Sequence, residues 1–156
     1  MGKLKNTLRA MQGQRIYFDT NGLIYFFDKN PLYFPIIAEI ITAVDRGECY
    51  GYTGDAAVSE LMVYPYRSSD PAEIARAKSF FLRKNFITVI GHDSAIFDTA
   101  SQLRAMKNLK LIDAIHYATA IRAGCRFFIT HDRDFNAIES NADITVIRLA
   151  DLLESA

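Results

Sequence analysis

Short apolar runs alternate with helical stretches along this 156-residue chain, and no other feature restricts its fold so tightly. The runs are Arg15 to Phe18, ending on Asp19, then Cys49 to Thr53, Phe86 to Ile90, Arg126 to Thr130 and Ile144 to Ile147. Helix signals lie between them. Thr20-Asn21-Gly22 is turn chemistry leading into a helix at Leu23 to Phe27, and Ile36 to Val44 repeats its apolar residues at helical spacing until Gly47. Gly54-Asp55 opens a helix over Ala56 to Val63, which Pro65 is expected to end. Asp70 before Pro71 is a cap with proline in the first turn, so a helix runs to about Arg83. Another starts at Asp93 or Ser94 and reaches Met106. Leu111 to Ala123 is closed by Gly124, and Leu149 to Leu153 is a last short helix. Alternating strands and helices predict a mainly parallel five-stranded sheet covered on both faces. Ile16 to Phe18 and Phe127 to Ile129 are continuously apolar, as central strands are. We read residues 15–156 as a single domain and residues 1–14 as an N-terminal extension, either a short amphipathic helix or a frayed end.

Composition narrows the class. Half of the residues are apolar, with eleven Phe and eight Tyr, enough for a core without disulfides. Lys plus Arg and Asp plus Glu number 18 each, so there is no general attraction to nucleic acid or anionic lipid. Any grip on nucleic acid must be local. Cys49 and Cys125 fall in no Cys/His cluster, which argues against zinc and for reduced thiols. No apolar run approaches a membrane span, and no apolar signal segment follows the basic N-terminus. The expected location is the cytoplasm.

Four acids sit where surface charges do not belong. Asp19 closes the first apolar strand, and Asp132 comes two residues after the fourth. Glu60 interrupts Ala57 to Val63, and Asp113 interrupts Leu111 to Ile115 near a helix start, where the dipole favours a carboxylate. In open α/β sheets, ligands bind beyond the carboxyl ends of the strands. Carboxylates gathered there repel one another and lose hydration, so either their pKa values rise or a cation neutralises them. An all-oxygen ligand set suits Mg²⁺ or Mn²⁺.

At these residues the chain resembles the PIN-domain family, and within it the VapC-type toxins of toxin–antitoxin pairs. The matching segments are Tyr17-Phe18-Asp19-Thr20-Asn21, Val58-Ser59-Glu60-Leu61, Leu111 through Ala120 and Phe128 through Phe135. The Leu111 segment, Leu-Ile-Asp-Ala-Ile-His-Tyr-Ala-Thr-Ala, is the most specific of them. The resemblance implies a three-layer α/β/α fold and a metal-dependent endoribonuclease with Asp19, Glu60, Asp113 and Asp132 as its acidic site. Asp19 and Asp113 are the expected direct metal ligands. Glu60 and Asp132 would bind directly, bind through water, or help activate the nucleophile. Asn21 and Thr130 match positions that support such a site by hydrogen bonding. His131 stands where the family often has Asn, and its side chain is expected to point away from the metal.

Arg104, Lys107 and Lys110, just before Asp113, and Arg133, beside Asp132, are candidate phosphate contacts for an RNA substrate. His116 and Tyr117 read as core or rim packing, and His92 as a surface or capping residue. Met62 to Tyr66, with Tyr33 and Phe34, cluster aromatics that pack in the core or, if exposed, form a groove for an antitoxin peptide or a homodimer contact. The alternative function is a non-catalytic PIN-like module that holds RNA or a protein. An Asp-nucleophile phosphatase commonly has a second Asp two residues after the first, where this chain has Asn21. The absence of GxxxxGK[ST] argues against a P-loop enzyme.

Overall fold

The first strand, β1 (Arg15–Phe18), lies at the centre of a sheet whose order is β3-β2-β1-β4-β5, the others being β2 (Tyr50–Gly54), β3 (Ile87–Ile90), β4 (Phe127–Thr130) and β5 (Thr145–Arg148). The structure, a computed structural model, describes residues 2–131 and 143–153. All four strand pairings are parallel. The described helices are α1 (Gly2–Met11), α2 (Thr20–Phe27), α3 (Phe34–Asp45), α4 (Asp55–Ser68), α5 (Pro71–Leu82), α6 (Ser94–Met106) and α7 (Leu111–Arg122), followed by a 3-10 turn at Leu149–Leu152.

Strand alternation divides the interior in two. Ile16 and Phe18 point into one core, which Leu23, Ile37, Ile40, Ala57 and Leu61 complete from α2, α3 and α4. Tyr17 and Phe128 point the other way, into a second core with Ile96, Ala114, Tyr117 and Ala118 from α6 and α7. Helices therefore cover both faces, the three-layer α/β/α arrangement expected from the alternation. The N-terminal segment is helical: Leu4 and Leu8 pack against the first core, and Met11 is buried in it.

Local chemistry explains most helix ends. Asp70 accepts a hydrogen bond from Ala72 N at 2.9 Å, with Pro71 opening α5. Asp93 accepts from Ile96 N at 3.0 Å and caps α6. Gly124, at φ 69°, turns the chain after α7. One expectation fails. Pro65 does not end α4, which runs on through another turn to Ser68. Proline removes one backbone donor and crowds the preceding turn. Here Pro65 is buried, and the Ser68 hydroxyl donates back to the Pro65 carbonyl at 2.7 Å. Packing holds the last turn, and the helix stops at Ser69, in the left-handed region at φ 56°.

Candidate active site

The chain adds β2 and β3 on one side of β1, then returns to add β4 and β5 on the other. The order reverses between β1 and β4, and in open α/β sheets a ligand cleft opens at that reversal, beyond the carboxyl ends of the strands. Asp19 and Thr130 terminate these two strands. Asp19 N donates to Ile129 O at 3.0 Å, locking the end of β1 to β4. The Thr130 hydroxyl donates to Asp19 Oδ2 at 2.8 Å, a bond that spans the reversal. Asp19 Oδ1 accepts from Thr20 N at 2.8 Å, so the same carboxylate caps α2. It is 4% exposed.

The orientation of α7 brings a second acid to this edge. Its C-terminal end lies at the start of β1, where the Arg15 guanidinium donates to Ala123 O. Its N-terminal half reaches the end of β1, where His116 meets Tyr17 and Thr20. Asp113 precedes His116 by three residues, so it lies on the same helix face, one turn nearer the site edge. It is 5% exposed and sits in the first turn of α7. Eight consecutive residues of α7, Asp113 to Ala120, are buried.

Glu60 arrives from α4. Its side chain is 48% exposed, and its Oε1 accepts from the Thr20 hydroxyl at 3.0 Å. The His116 imidazole beside it, then the Thr20 hydroxyl, hold its carboxyl below the usual carboxylate range against the opposing effect of burial. His116 itself is 1% exposed. Its Nδ1 lies 2.8 Å from the Tyr17 hydroxyl, and its Nε2 lies 3.2 Å from Thr20 Oγ1. Nε2 is also 3.7 Å from Glu60 Oε1 and 3.8 Å from Asp19 Oδ1. His116 thus belongs to the site, where the sequence suggested packing. The overlooked signal is its i+3 spacing from Asp113 on a buried helix face.

The remaining residues divide as follows. Asn21 is partly exposed in the first turn of α2 and makes no side-chain hydrogen bond among the described residues. Asp132 and Arg133 lie outside the described residues. His131 packs its ring against Tyr33 at 4.7 Å and Tyr25 at 5.4 Å. Arg104, Lys107 and Lys110 are exposed, but Arg104 Nε donates to Leu109 O at 3.3 Å and so braces the α6–α7 loop. His92 does cap a helix: its Nε2 accepts from Ala56 N at 3.0 Å, in the first turn of α4. Tyr117 is core. Of the clustered aromatics, Met62 is buried, Tyr33 and Phe34 stack on Tyr25 and Phe26, and Tyr64 and Tyr66 are exposed. Tyr64 lines a groove of about 470 Å³ next to Glu60, with Ile24, Phe27, Leu61 and Arg76.

Asp19 and Asp113 are buried and Glu60 is half-exposed, and their carboxylate oxygens are donors of the chemistry that suits a hard divalent cation. Among the described residues, no three His, Cys, Asp or Glu side chains stand in a metal-holding arrangement.

An all-parallel α/β/α sheet with a buried acid at its strand reversal defines the class of molecule. Residues 16–141 match the PIN domain family, and the chain belongs to that family, whose members are nucleases. No curated protein matches it in sequence. Among solved structures, a toxin–antitoxin complex from Klebsiella pneumoniae aligns with a TM-score of 0.63 at 23% identity, covering 83% of this chain and 95% of that one. VapBC2 from Rickettsia felis, bound to a DNA fragment from its promoter, aligns at 0.64 and 14% identity, covering 86% and 98%. VapC20 from Mycobacterium tuberculosis, a toxin that cleaves the sarcin–ricin loop, aligns at 0.61 and 14% identity, covering 78% and 93%. At such identities the likeness is one of fold. No helix among the described residues is long and apolar enough to cross a membrane.

Proposed function

We propose that this protein is a Mg²⁺- or Mn²⁺-dependent endoribonuclease and the toxin of a type II toxin–antitoxin pair. The observation that carries the reading is the presentation of two almost wholly buried carboxylates, Asp19 and Asp113, at the strand reversal of a PIN-family sheet. Carboxylates gathered away from water lose hydration and repel one another, and a bound cation offsets both costs. Asp19 and Asp113 would hold the ion, with Glu60 and Asp132 completing the set. When bound, such an ion lowers the pKa of a water and neutralises charge on the phosphodiester.

The chain's own groups supply orientation. The Thr130 hydroxyl and Thr20 amide fix both oxygens of Asp19, so the carboxylate is already oriented before substrate arrives. Glu60, half-exposed and held ionised, is the acid best able to accept a proton from an attacking water. Lys110, exposed at the N-terminus of α7, sits one turn before Asp113 and is the leading phosphate contact. Asn21, whose side chain makes no hydrogen bond among the described residues, would face substrate.

Complexes of VapC-type toxins with antitoxins share this fold, and the groove beside Glu60 is the place for an antitoxin segment here. It joins apolar walls to Arg76, Asp28 and Glu73, and Glu60 lines it, so an occupying peptide would cover that acid. The test is cleavage of a synthetic RNA by purified protein with Mg²⁺ or Mn²⁺, then with chelator, then by Asp19→Asn and Asp113→Asn. Cleavage should require metal and both acids, while thermal melting shows both variants folded. Undiminished cleavage by either variant refutes the assignment. Metal that stabilises the protein without any cleavage would favour the binding-module alternative.

A further inference from the structure

Glu60 and Asp113 ride on helices that belong to different cores. Ala57, Leu61 and Met62 of α4 pack into the first, and Ala114, Tyr117 and Ala118 of α7 into the second. The sheet lies between them, so their relative placement is set past the carboxyl ends of the strands. His92, in the connection from β3 to α6, sits there. Its Nε2 accepts from Ala56 N at 3.0 Å, and its Nδ1 lies 2.9 Å from Thr119 Oγ1 on α7. The next residue, Asp93, pairs with Arg122 of the same helix at 3.2 Å.

The bond to Ala56 supplies something α4 lacks. The N-cap side chain of a helix ordinarily accepts from the backbone N–H of its second or third residue. The N-cap of α4 is Gly54, which has no side chain to offer. A Cβ there would lie 2.3 Å from His92 Cε1 and 2.7 Å from Nε2, so the glycine leaves the space that the ring occupies. A backbone amide only donates, so Nε2 is bare and the ring proton is on Nδ1. That proton fits its partner, because the Thr119 hydroxyl directs its own to Ile115 O at 2.7 Å.

We infer that His92 is a positioning residue: a neutral imidazole that caps α4 in place of a Gly54 side chain and ties the turn leading to Glu60 to the helix that carries Asp113. The inference rests on Glu60 and Asp113 being working acids of the proposed site. Ala56 precedes Glu60 by four residues, one turn along the same helix face. An uncapped first turn frays, and the loss passes directly to the acid above it. The tie also answers to acid. An imidazolium has two donors and no acceptor, so protonation of His92 breaks the bond to Ala56. Facing the ring are Asp55 from α4, His116 from α7 and the Tyr17 hydroxyl from β1. Burial first, then His116, keeps its pKa below the ordinary 6.5 against the opposing pull of Asp55. The tie therefore holds at neutral pH and opens as pH falls through that lower value.

The test begins with long-range ¹H–¹⁵N NMR of the metal-free protein. At neutral pH the His92 proton should be on Nδ1, and on acidification the Ala56 amide should shift with the same midpoint as the His92 ring. A proton on Nε2, or an Ala56 amide indifferent to the titration, overturns the tie. Two variants then carry the test to the metal, with Mn²⁺ affinity read by electron paramagnetic resonance on folded protein. His92→Phe, which keeps a ring and removes the acceptor, should weaken binding by about tenfold or more. His92→Gln, whose amide oxygen accepts from Ala56 N without titrating, should recover most of that loss. Its affinity should also fall less steeply than that of wild type from about pH 7 to about pH 5. Equal losses in the Phe and Gln variants overturn the tie. Should His92→Phe not fold, the wild-type titration still decides. Asp113→Asn separates the two levels. Weakened Mn²⁺ binding in Asp113→Asn beside unaltered binding in His92→Phe defeats the tie alone, whereas unaltered binding in Asp113→Asn defeats the metal reading on which it rests.

Discussion

The two faces of the sheet are built on different principles. The face carrying Ile16 and Phe18 meets α3 through Ile37, Ile40 and Val44, with no acid, base or histidine among its described buried core residues. The face carrying Tyr17 meets α7, which buries Asp113, His116 and Thr119 along with its apolar residues. Burial of charge and imidazole is costly unless it is hydrogen-bonded or paired. A face whose described core holds no charge or imidazole shows that such burial is not forced by the architecture. Its confinement to the α7 side marks that side as the functional one, and stability and chemistry should separate accordingly.

Asp113→Asn is the strongest test of that separation. It removes a charge and keeps the shape, so melting should change little, while RNA cleavage should fall by at least about a thousandfold, ~4 kcal/mol of transition-state stabilisation. A large loss of folded protein in circular dichroism melts would instead make Asp113 a structural acid. Ile40→Ala is its mirror image. Ile40 is fully buried in the apolar face. Its truncation should cost about 2–5 kcal/mol in denaturant unfolding. Cleavage per folded molecule should be preserved. A drop in kcat comparable to that of Asp113→Asn would mean that the two faces are coupled.

How far the sequence disclosed this division depends on the kind of signal. Strand and helix punctuation is local, so Asp70-Pro71, Asp93 and Gly124 could be read directly, and each closes or opens its helix as expected. Asp19 could be read because an acid ending an apolar strand is placed by topology alone. Pro65 was misread because the rule for proline is local, whereas the burial that sustains α4 beyond it comes from the tertiary packing of α4. His116 was hidden for a similar reason. Its partners, Tyr17, Thr20 and Glu60, are dispersed over the sequence and meet only once α7 is laid along β1. Within the chain it looks like one more member of an apolar helix.

Gly54→Ala would disturb the junction between the α4 cap and the Tyr17–His116 contact. A Cβ at residue 54 would lie 2.3 Å from His92 Cε1 and 2.8 Å from the Tyr17 hydroxyl, too close for either to remain in place. His92 holds the first turn of α4 and Tyr17 anchors His116. Unlike the preceding pair, this substitution should therefore affect both properties at once. We expect about 1–3 kcal/mol of destabilisation from overpacking, measured by urea unfolding, together with a partial loss of cleavage. Stability lost with cleavage intact would show that the site tolerates displacement of Tyr17.

The smallest effect concerns Glu60 and acid. Its folded-state pKa lies below the ordinary value of 4.5, first because of His116 and then through the Thr20 hydroxyl. A carboxylate with a depressed pKa binds its proton more readily in the unfolded chain. Its contribution to stability is therefore complete above about pH 4.5 and is lost as pH falls through the lower, folded value. Glu60→Gln removes the titrating group, so its melting temperature should fall less steeply than that of wild type on acidification from about pH 5 to about pH 3. Solvent screens a half-exposed side chain, which limits the difference to less than about 1 kcal/mol. Parallel acid limbs would show that Glu60 gains nothing from its neighbours on folding. A steeper wild-type limb that loses its excess slope in Thr20→Val would tie that gain to the α7 side of the molecule, where the buried imidazole and the hydroxyl act on the same carboxylate.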